Sequence, residues 1–366
     1  MKQRDLFYLI LGGLGLVSGI GQWFLFRHLA PALNGVAGFI FFLLLPLTFV
    51  VPYIFEHHLP LKGVRFLARL GGYWFVAMYY VSIGLVPAFL LWLVLTLSGH
   101  TALWLTIAPY YGALLLLIVA FSLVVGAYRA THPIYRHVTL TLDKLTRPVT
   151  LAFASDIHLG PVLGKRFAKK LVTDMNRIQP DLILLGGDLI DGNYHVVLRD
   201  DAFAPFADFQ PKTATIAVFG NHDHYAEEIP QEKKSLQEKG LILLESQTIQ
   251  PLPGLYLTGM TDFIYDPSQK IPPAPKDGVS ICLEHEPMHP KQAAAAGYDL
   301  YLAGHTHAGQ FWPNRLATKR IFDLDFGTKK YGELTAIVSS GYGSWGPLFR
   351  LGPSPEIVVI SMNPRL

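Results

Sequence analysis

Four long stretches without a charged residue occupy the first third of the chain, at residues 6–26, 36–55, 71–97 and 103–128. Each is long enough to cross about 30 Å of hydrocarbon as a helix that rises about 1.5 Å per residue. One charge at the centre of such a helix would cost roughly 2.5–3.5 kcal/mol. The absence of charged residues from four long stretches is therefore not a chance effect of composition. We therefore expect a transmembrane domain of about four helices over residues 1–130.

The basic residues beside these stretches predict how the helices are oriented in the membrane. One side carries most of them. Lys2 and Arg4 flank the first stretch, Lys62, Arg65 and Arg69 are expected in the loop between the second and third, and Arg129, Arg136, Lys144 and Arg147 follow the fourth. The loops on the other side carry only Arg27. Lys and Arg are enriched in cytoplasmic loops. We expect an integral protein of the cytoplasmic membrane, with both termini and the rest of the chain on the cytoplasmic side.

Polar residues follow five apolar runs in the second part of the chain. The runs read as buried strands, at Val149–Ala154, 182–185, 213–219, Val279–Leu283 and Leu300–Ala303. The polar residues after them are Asp156, His158, Asp188, Asn221, His285, His305 and His307. Ligands of open α/β sheets bind at the carboxyl ends of strands. Carboxylates, imidazoles and one amide oxygen suit a borderline divalent metal such as Mn²⁺, Fe²⁺ or Zn²⁺.

The spacing between these runs completes a coarse organisation. Residues 131–147 are expected to link the two parts and to include an alternating run at 137–142 that favours an edge strand. An amphipathic helix is expected at 164–178 and a solvated helix at 228–239. Residues 262–278 are predicted to be a loop. Residues 310–333 mix aromatic and basic residues; we expect a surface loop, and contact with lipid headgroups or with substrate are both open.

The order of the motifs resembles that of the calcineurin-like metallophosphoesterase family. The motifs are D-x-H at 156–158, G-D at 187–188, G-N-H-D at 220–223, a single His at 285 and G-H-x-H at 304–307. The resemblance covers roughly residues 149–360. It is closest to the bacterial membrane-associated branch, whose signature is similar to G-H-T-H-A-G-Q at 304–310 and G-S-W-G-P at 343–347. It implies an α/β (α+β) sandwich domain at residues 148–366.

The resemblance also implies a site with two metal ions. Matched by position, the ligands of the first ion would be Asp156, His158, Asp188 and His307. Those of the second would be Asp188, Asn221, His285 and His305, so that Asp188 is the bridging carboxylate. Mn²⁺ is the first choice, with Fe or Zn as alternatives. Two cations about 3.5–4 Å apart can clamp both oxygens of an in-line phosphoryl displacement, and the expected nucleophile is a metal-bound hydroxide.

Two further residues of the G-N-H-D motif are candidates for catalysis. By resemblance, His222 points at the leaving group, where a protonated imidazole would act as a general acid. Asp223 is expected to orient His222 and to hold its charge. The alternative for Asp223 is a turn or capping residue.

These expectations define a function and leave alternatives open. The net charge of +3 and the absence of a basic stripe interleaved with aromatics give no support for nucleic-acid binding. The single cysteine excludes an intrachain disulfide. We expect a membrane-anchored phosphoesterase acting on a phosphate ester, phosphodiester or pyrophosphate of a lipid-linked substrate in the bilayer. Soluble substrates, a non-catalytic metal-binding sensor module and a transport protein with a regulatory domain are the alternatives. The oligomeric state is left open.

Overall fold

The computed structural model describes residues 3–26, 35–56, 58–191, 194–226 and 228–365. The chain divides into two compact units. The helical unit comprises Asp5–Arg129 and Pro347–Leu351, and the second unit comprises Ala130–Gly346 and Gly352–Leu366. Lys2 and Arg27, which entered the orientation argument, lie outside the described residues.

The helical unit contains helices over all four charge-free stretches. They are α1 (Gln3–Phe26), α2 (Val36–Leu44), α3 (Leu47–Ile54), α4 (Leu61–Leu97) and α5 (Thr101–Ala130). Among the described residues, α4 and α5 are long and apolar enough to cross a membrane, and α2 with α3 would add a third span if the pair counts as one. The described residues thus give two or at most three candidate spans, fewer than the four predicted. The pair is bent by 45°, and Pro46 lies at the bend because it lacks the N–H that would continue the helix.

The basic residues between the second and third stretches were expected in a loop, and this was wrong. Lys62, Arg65 and Arg69 lie on α4, which begins directly after Pro60. Lys and Arg have high helix propensity, so the helix continues beyond the apolar stretch until Pro60 ends it. The positive charges therefore lie in the first turns of a candidate span.

A short segment from near the C-terminus packs within the helical unit. Phe349 is fully buried, and its ring centroid is 6.0 Å from that of Tyr80. The backbone N–H of Arg350 donates to Gly126 O at 3.0 Å. A Cβ atom at Gly126 would lie 2.1 Å from the Phe349 ring, so this close approach requires glycine. Pro347–Leu351 thus belongs to the helical unit although it lies within the predicted range 148–366.

Two six-stranded sheets form the second unit. The first has the order β1 (Ile134–Leu142), β12 (Glu356–Pro364), β2 (Val149–Ala154), β3 (Leu182–Gly186), β4 (Ala214–Val218) and β5 (Leu241–Leu243). The second has the order β10 (Gly327–Tyr331), β11 (Leu334–Val338), β9 (Leu300–Ala303), β8 (Val279–Leu283), β7 (Leu255–Gly259) and β6 (Gln247–Leu252). In the first sheet, β2 to β5 are parallel, and in the second β7, β8, β9 and β11 are parallel.

The sheets pack face to face around one apolar core. Its members alternate along strands of both sheets and include Leu151, Leu184, Ile216, Ile281, Leu302 and Ile337. Both faces of each sheet are covered, because a second cluster packs α6 (Lys165–Asn176) and α7 (Tyr194–Asp200) on the first sheet. A third cluster includes α10 (Pro290–Ala295) on the second sheet. Sheets covered on both faces carry near-continuous apolar strands. The predicted sandwich domain is confirmed.

Most of the predicted elements are observed, and one segment differs. The five strands that precede the candidate ligands are β2, β3, β4, β8 and β9, and the alternating run is part of the edge strand β1. The solvated helix is α9 (Ile229–Glu238), and α8 (Asn221–Tyr225) begins at a candidate ligand. The expected loop at 310–333 instead contains α11 (Arg315–Ile321) and β10. No residue of α11 is buried, so it has no apolar period that sequence reading could detect.

Candidate metal centre

Asp188, directly after β3, lies between two groups of candidate ligands. Its Oδ2 atom is 3.2 Å from His285 Nε2 and 3.7 Å from His158 Nε2. Its Oδ1 atom accepts a hydrogen bond of 2.8 Å from the backbone N–H of His222. One oxygen thus faces a ring nitrogen of each group while the other is held by the backbone. This arrangement suits a carboxylate shared by two ions.

The first group consists of Asp156, His158 and His307, whose ligand atoms lie within 4.8 Å of one another. The Nε2 atoms of His158 and His307 are 2.9 Å apart, and His307 Nε2 is 3.5 Å from Asp156 Oδ1. Metal–ligand bonds of about 2.0–2.2 Å place neighbouring ligand atoms at such separations. The three side chains come from the ends of β2 and β9, so only the packing of the two sheets brings them together.

The second group consists of Asp188, His285 and His305, with Asn221 beside it. His305 Nδ1 is 3.0 Å from Asn221 Oδ1. His285 Nδ1 donates to Gly186 O at 2.8 Å, because a carbonyl can only accept. In the neutral form of the ring, the Nε2 atom would present a lone pair, and this atom is buried without a hydrogen bond. A backbone bond that orients the imidazole and leaves the other nitrogen free is usual for a metal-binding histidine. The residues therefore fit divalent metal ions.

Asp191 faces two rings of the site and was missed in the sequence analysis. Its Oδ1 atom is 3.6 Å from His158 Nδ1 and 3.4 Å from His222 Nδ1. One buried carboxylate is thus shared between a candidate ligand and the candidate acid. The available signal was its position three residues after Asp188, in the turn that follows β3 at the same edge of the sheet.

Asp223 does not make the contact expected of it. Its Oδ2 atom accepts from the backbone N–H of Gly220 at 2.7 Å, and its Oδ1 atom accepts from that of Ile190 at 3.0 Å. The carboxylate that faces His222 is Asp191. Adjacent residues on a helix point in different directions, so Asp223 on α8 caps the helix start and holds the turn that carries Asp191. The capping alternative describes this geometry.

The backbone around the site is held in a conformation that side chains rarely adopt. Five candidate ligands have positive φ, namely Asp156, His158, Asp188, His305 and His307. Such residues cost on the order of 1–3 kcal/mol each and cluster at functional sites. A Cβ atom at Gly220 would lie 2.3 Å from Asp188 Oδ1, so this position admits only glycine. The strained turns place donor atoms where extended strands could not.

A cavity of about 300 Å³ opens beside the candidate ligands. Its lining includes Asp188, His222 and His305 together with Phe311 and Trp345. The backbone of Trp345 is fastened by two bonds, from Gln310 Nε2 to Trp345 O at 2.9 Å and from Trp345 N to Gln310 Oε1 at 3.0 Å. The residues that follow β9 and β11 thus form one wall of the cavity.

Residues 149–309 match the model of the calcineurin-like phosphoesterase family. Over these residues the chain is similar to the calcineurin-like phosphoesterases. The expectation from the sequence motifs is thereby confirmed. The matched residues include every candidate ligand described above.

Bacterial and animal proteins are similar to this chain. A metallophosphoesterase of Helicobacter pylori is 31% identical over 64% of this chain and 65% of the relative. A transmembrane protein with a metallophosphoesterase domain from Danio rerio is 27% identical over 68% of this chain and 62% of the relative. Phosphodiesterase YaeI of Escherichia coli is 28% identical over 62% of this chain and 87% of the relative. The chain spans less than two thirds of the length of the first two.

The electrostatics of the site favour the metal-binding forms of Asp188 and His305. For His285, burial acts to lower the pKa, but the charge of Asp188 raises it well above its ordinary value. Burial acts to raise the pKa of Asp188, but the charges of His285 and His222 hold it well below its ordinary value. Burial and the charge of His285 together lower the pKa of His305 to about 3. A charged carboxylate and a neutral imidazole are the ligand forms of these residues.

The first prediction concerns the number of bound metal ions. We expect elemental analysis of the purified full chain, loaded with divalent metal, to give two ions per chain. Asp188→Asn is expected to lower this to less than one, because the bridging charge acts on both ions.

Asp181→Asn is the matched control. Asp181 is also buried, but its carboxylate accepts from the backbone N–H of Thr150 at 2.8 Å and belongs to neither group. The Asp181→Asn variant should retain both metal ions. One fully occupied metal in the wild type, or two in Asp188→Asn, would contradict the shared-carboxylate arrangement.

Proposed function

We propose that this chain is a membrane-anchored, dimetal phosphoesterase that hydrolyses a phosphate ester, phosphodiester or pyrophosphate bond. The observation that carries the proposal is the position of Asp188, whose Oδ2 atom faces His158 and His285 at 3.7 and 3.2 Å. Two groups of ligands joined through one carboxylate, beside a cavity, are suited to phosphoryl transfer. Similarity to the calcineurin-like family supports the same reaction class.

The proposed ligands divide between two ions. Asp156, His158, Asp188 and His307 would hold the first, and Asp188, Asn221, His285 and His305 would hold the second. When bound, the two ions supply positive charge that stabilises phosphoryl oxygens and that can lower the pKa of water from 15.7 towards about 7. Mn²⁺ is preferred, with Fe or Zn as alternatives, because the set mixes imidazole and carboxylate ligands.

His222 is proposed to deliver a proton to the leaving group. It lines the cavity, so it can reach a substrate held there. Burial acts to lower the pKa of His222, but the charges of Asp188 and Asp191 raise it above its ordinary value. The imidazole is therefore disposed to carry the proton that a departing alkoxide needs. Asp191 is proposed as the positioning residue for His222. Asp223 is proposed to hold the backbone of Gly220 and Ile190 through its two hydrogen bonds.

The second prediction separates this chemistry from metal binding. We expect His222→Ala to retain its metal and to lose about 10²–10⁴ in rate on esters with poor leaving groups. The loss should be much smaller for p-nitrophenyl esters, because their leaving group needs no proton. Assays of purified full chain on matched alkyl and p-nitrophenyl phosphodiesters measure both.

Asp191→Asn tests the positioning role in the same assay. If the contact of 3.4 Å between Asp191 Oδ1 and His222 Nδ1 tightens to a charge-assisted bond in the substrate complex, its loss, worth about 1.5–3 kcal/mol, should slow the alkyl ester roughly 10- to 100-fold at saturating metal. The double variant should be no slower than His222→Ala alone, because the carboxylate acts through the ring. An equal loss of rate in His222→Ala on the alkyl and the p-nitrophenyl esters would show that His222 is not the general acid.

A lipid-linked substrate is the finer part of the proposal. The chain carries helices that are long and apolar enough to span a membrane. The relative from Danio rerio is a transmembrane protein with a metallophosphoesterase domain. Confinement of enzyme and substrate to one thin layer raises their effective concentration without any added contact. Soluble substrates are the alternative. A sensor module is disfavoured, because the full ligand set is present and His222 lines the cavity.

The third prediction concerns the substrate in the cell. Deletion of the gene should cause a phospholipid or nucleotide-linked lipid to accumulate, as measured by mass spectrometry of total lipids. The wild-type chain should reverse this and His222→Ala should not, although both insert into the membrane. An unchanged lipid profile together with an accumulated soluble phosphodiester would favour the alternative.

Orientation is the last part of the proposal, with both termini and the catalytic unit in the cytoplasm. The fourth prediction tests it with Ser98→Cys and Ser268→Cys in full chain that lacks Cys282. Ser98 follows α4, and Ser268 lies in the exposed loop after β7. A membrane-impermeant thiol reagent should label position 98 in intact cells and position 268 only after lysis. Labelling of position 268 from outside would reverse the orientation.

A further inference from the structure

Several exposed large apolar side chains of the second unit follow β8, β9 and β11, parallel strands that end at one edge of the second sheet. They are Met288, Trp312, Leu316, Ile321 and Trp345. Trp345 lines the metal cavity, and Met288 and Ile321 line one further groove. Contiguous exposed apolar surface marks an interaction site. Its location at one edge of the sheets sets it apart from scattered exposed residues.

Within this surface, α11 has the reverse of the usual amphipathic arrangement. Its inward side is polar, because Arg315 Nε and Thr318 Oγ1 both donate to Asp325 Oδ2, at 3.1 and 3.0 Å. Its outward side carries Leu316, which is 55% exposed, and Ile321, which is 70% exposed. A helix that packs on a core in water places its apolar residues inward. Here polar contacts to Asp325 hold the helix in place, and its apolar residues remain exposed.

The same outward side is basic. Lys319 and Arg320 are exposed, and neither belongs to an ion pair of the described residues. Trp312, just before the helix, is 57% exposed. Exposed aliphatic side chains with Trp on one side and Lys and Arg beside them are the composition of helices that lie in a membrane interface. The positive charges complement anionic lipid headgroups, which an apolar protein partner would not require.

The segment is fastened to the candidate metal site. The Phe322 ring follows α11 directly and lies 5.9 Å from the ring of His305. The Asp325 main-chain carbonyl accepts from Thr306 Oγ1, and Thr306 stands between His305 and His307. Asn314, at the start of α11, lines the cavity. A surface that docked through α11 would therefore lie next to the opening of the site.

We propose that residues 312–321, here called the rim segment, dock on an anionic bilayer surface. Trp312, Leu316 and Ile321 would enter the headgroup and upper acyl region, and Lys319 and Arg320 would contact lipid phosphates. The covalent link to candidate spans keeps the rim segment near the bilayer, so weak contacts suffice. This contact does not depend on catalysis, and it would hold whichever phosphate ester is the substrate.

The fifth prediction uses a fluorophore on the full chain in nanodiscs that each hold one chain. A polarity-sensitive probe is attached to Leu316→Cys, and Cys282 is buried and so does not compete. In bilayers with anionic lipid, acyl-brominated lipids should quench this probe roughly twofold or more, as expected of a residue at interfacial depth. The matched control is Ile242→Cys on β5, also exposed in the wild type, whose probe should be unaffected.

Two further arms keep the test decisive. Lys319→Glu with Arg320→Glu should reduce the quenching at position 316 several-fold in anionic bilayers and little in neutral ones. Ala317→Cys gives a second position on the exposed side of α11 if Leu316→Cys does not fold, and metal content reports folding in every variant. Quenching at 316 and 317 no greater than at 242 would overturn the proposal. A blue-shifted probe that brominated lipid does not quench would also overturn it, because protein would then cover the segment.

Discussion

The shared use of one carboxylate is the interaction on which the site depends. Asp188 Oδ2 faces ring nitrogens that arrive from β2 and β8, one in each sheet. A buried carboxylate among imidazoles is stable only if its charge is matched, because an isolated charge in a protein interior is very costly. Positive metal ions would supply that match and would relieve the close approach of the two Nε2 atoms of His158 and His307. The residues around Asp188 therefore form a site whose electrostatics call for cations.

The rest of the domain is arranged to keep this carboxylate in place. The parallel strands of the two mixed sheets carry the candidate ligands at their carboxyl ends, and the turns beyond them adopt positive φ at five candidate ligands. Strain of that kind persists only where surrounding structure determines it. The face-to-face core of large aliphatic side chains provides this rigidity. Two further carboxylates have different contacts. Asp191 faces the rings of His158 and His222, whereas Asp223 accepts hydrogen bonds from the backbone N–H groups of Gly220 and Ile190.

The elements predicted correctly from the sequence are those marked by a pattern of neighbouring residues. Apolar runs such as Val279–Leu283 and Leu300–Ala303 are strands with those same bounds, because strands covered on both faces need continuous apolar residues. The candidate ligands follow from the position of each motif after a strand. Reading failed where the signal was absent or misleading. Lys62 and Arg65 resemble loop residues but propagate α4, and α11 has no buried residue to give it a period.

The sequence by itself determined the apolar helices, the strand order of the motifs, and the kinds of side chain that meet at the sheet edge. It did so because hydrophobic period and turn residues act over a few positions along the chain. Only the tertiary structure decided that Asp191, rather than its sequence neighbour Asp223, faces His222, since adjacent helix residues diverge while residues from different turns can converge. Packing also decided that Pro347–Leu351 joins the helical unit and that α11 turns its apolar side outward. Those outcomes depend on contacts between residues far apart in the chain, which no local pattern encodes.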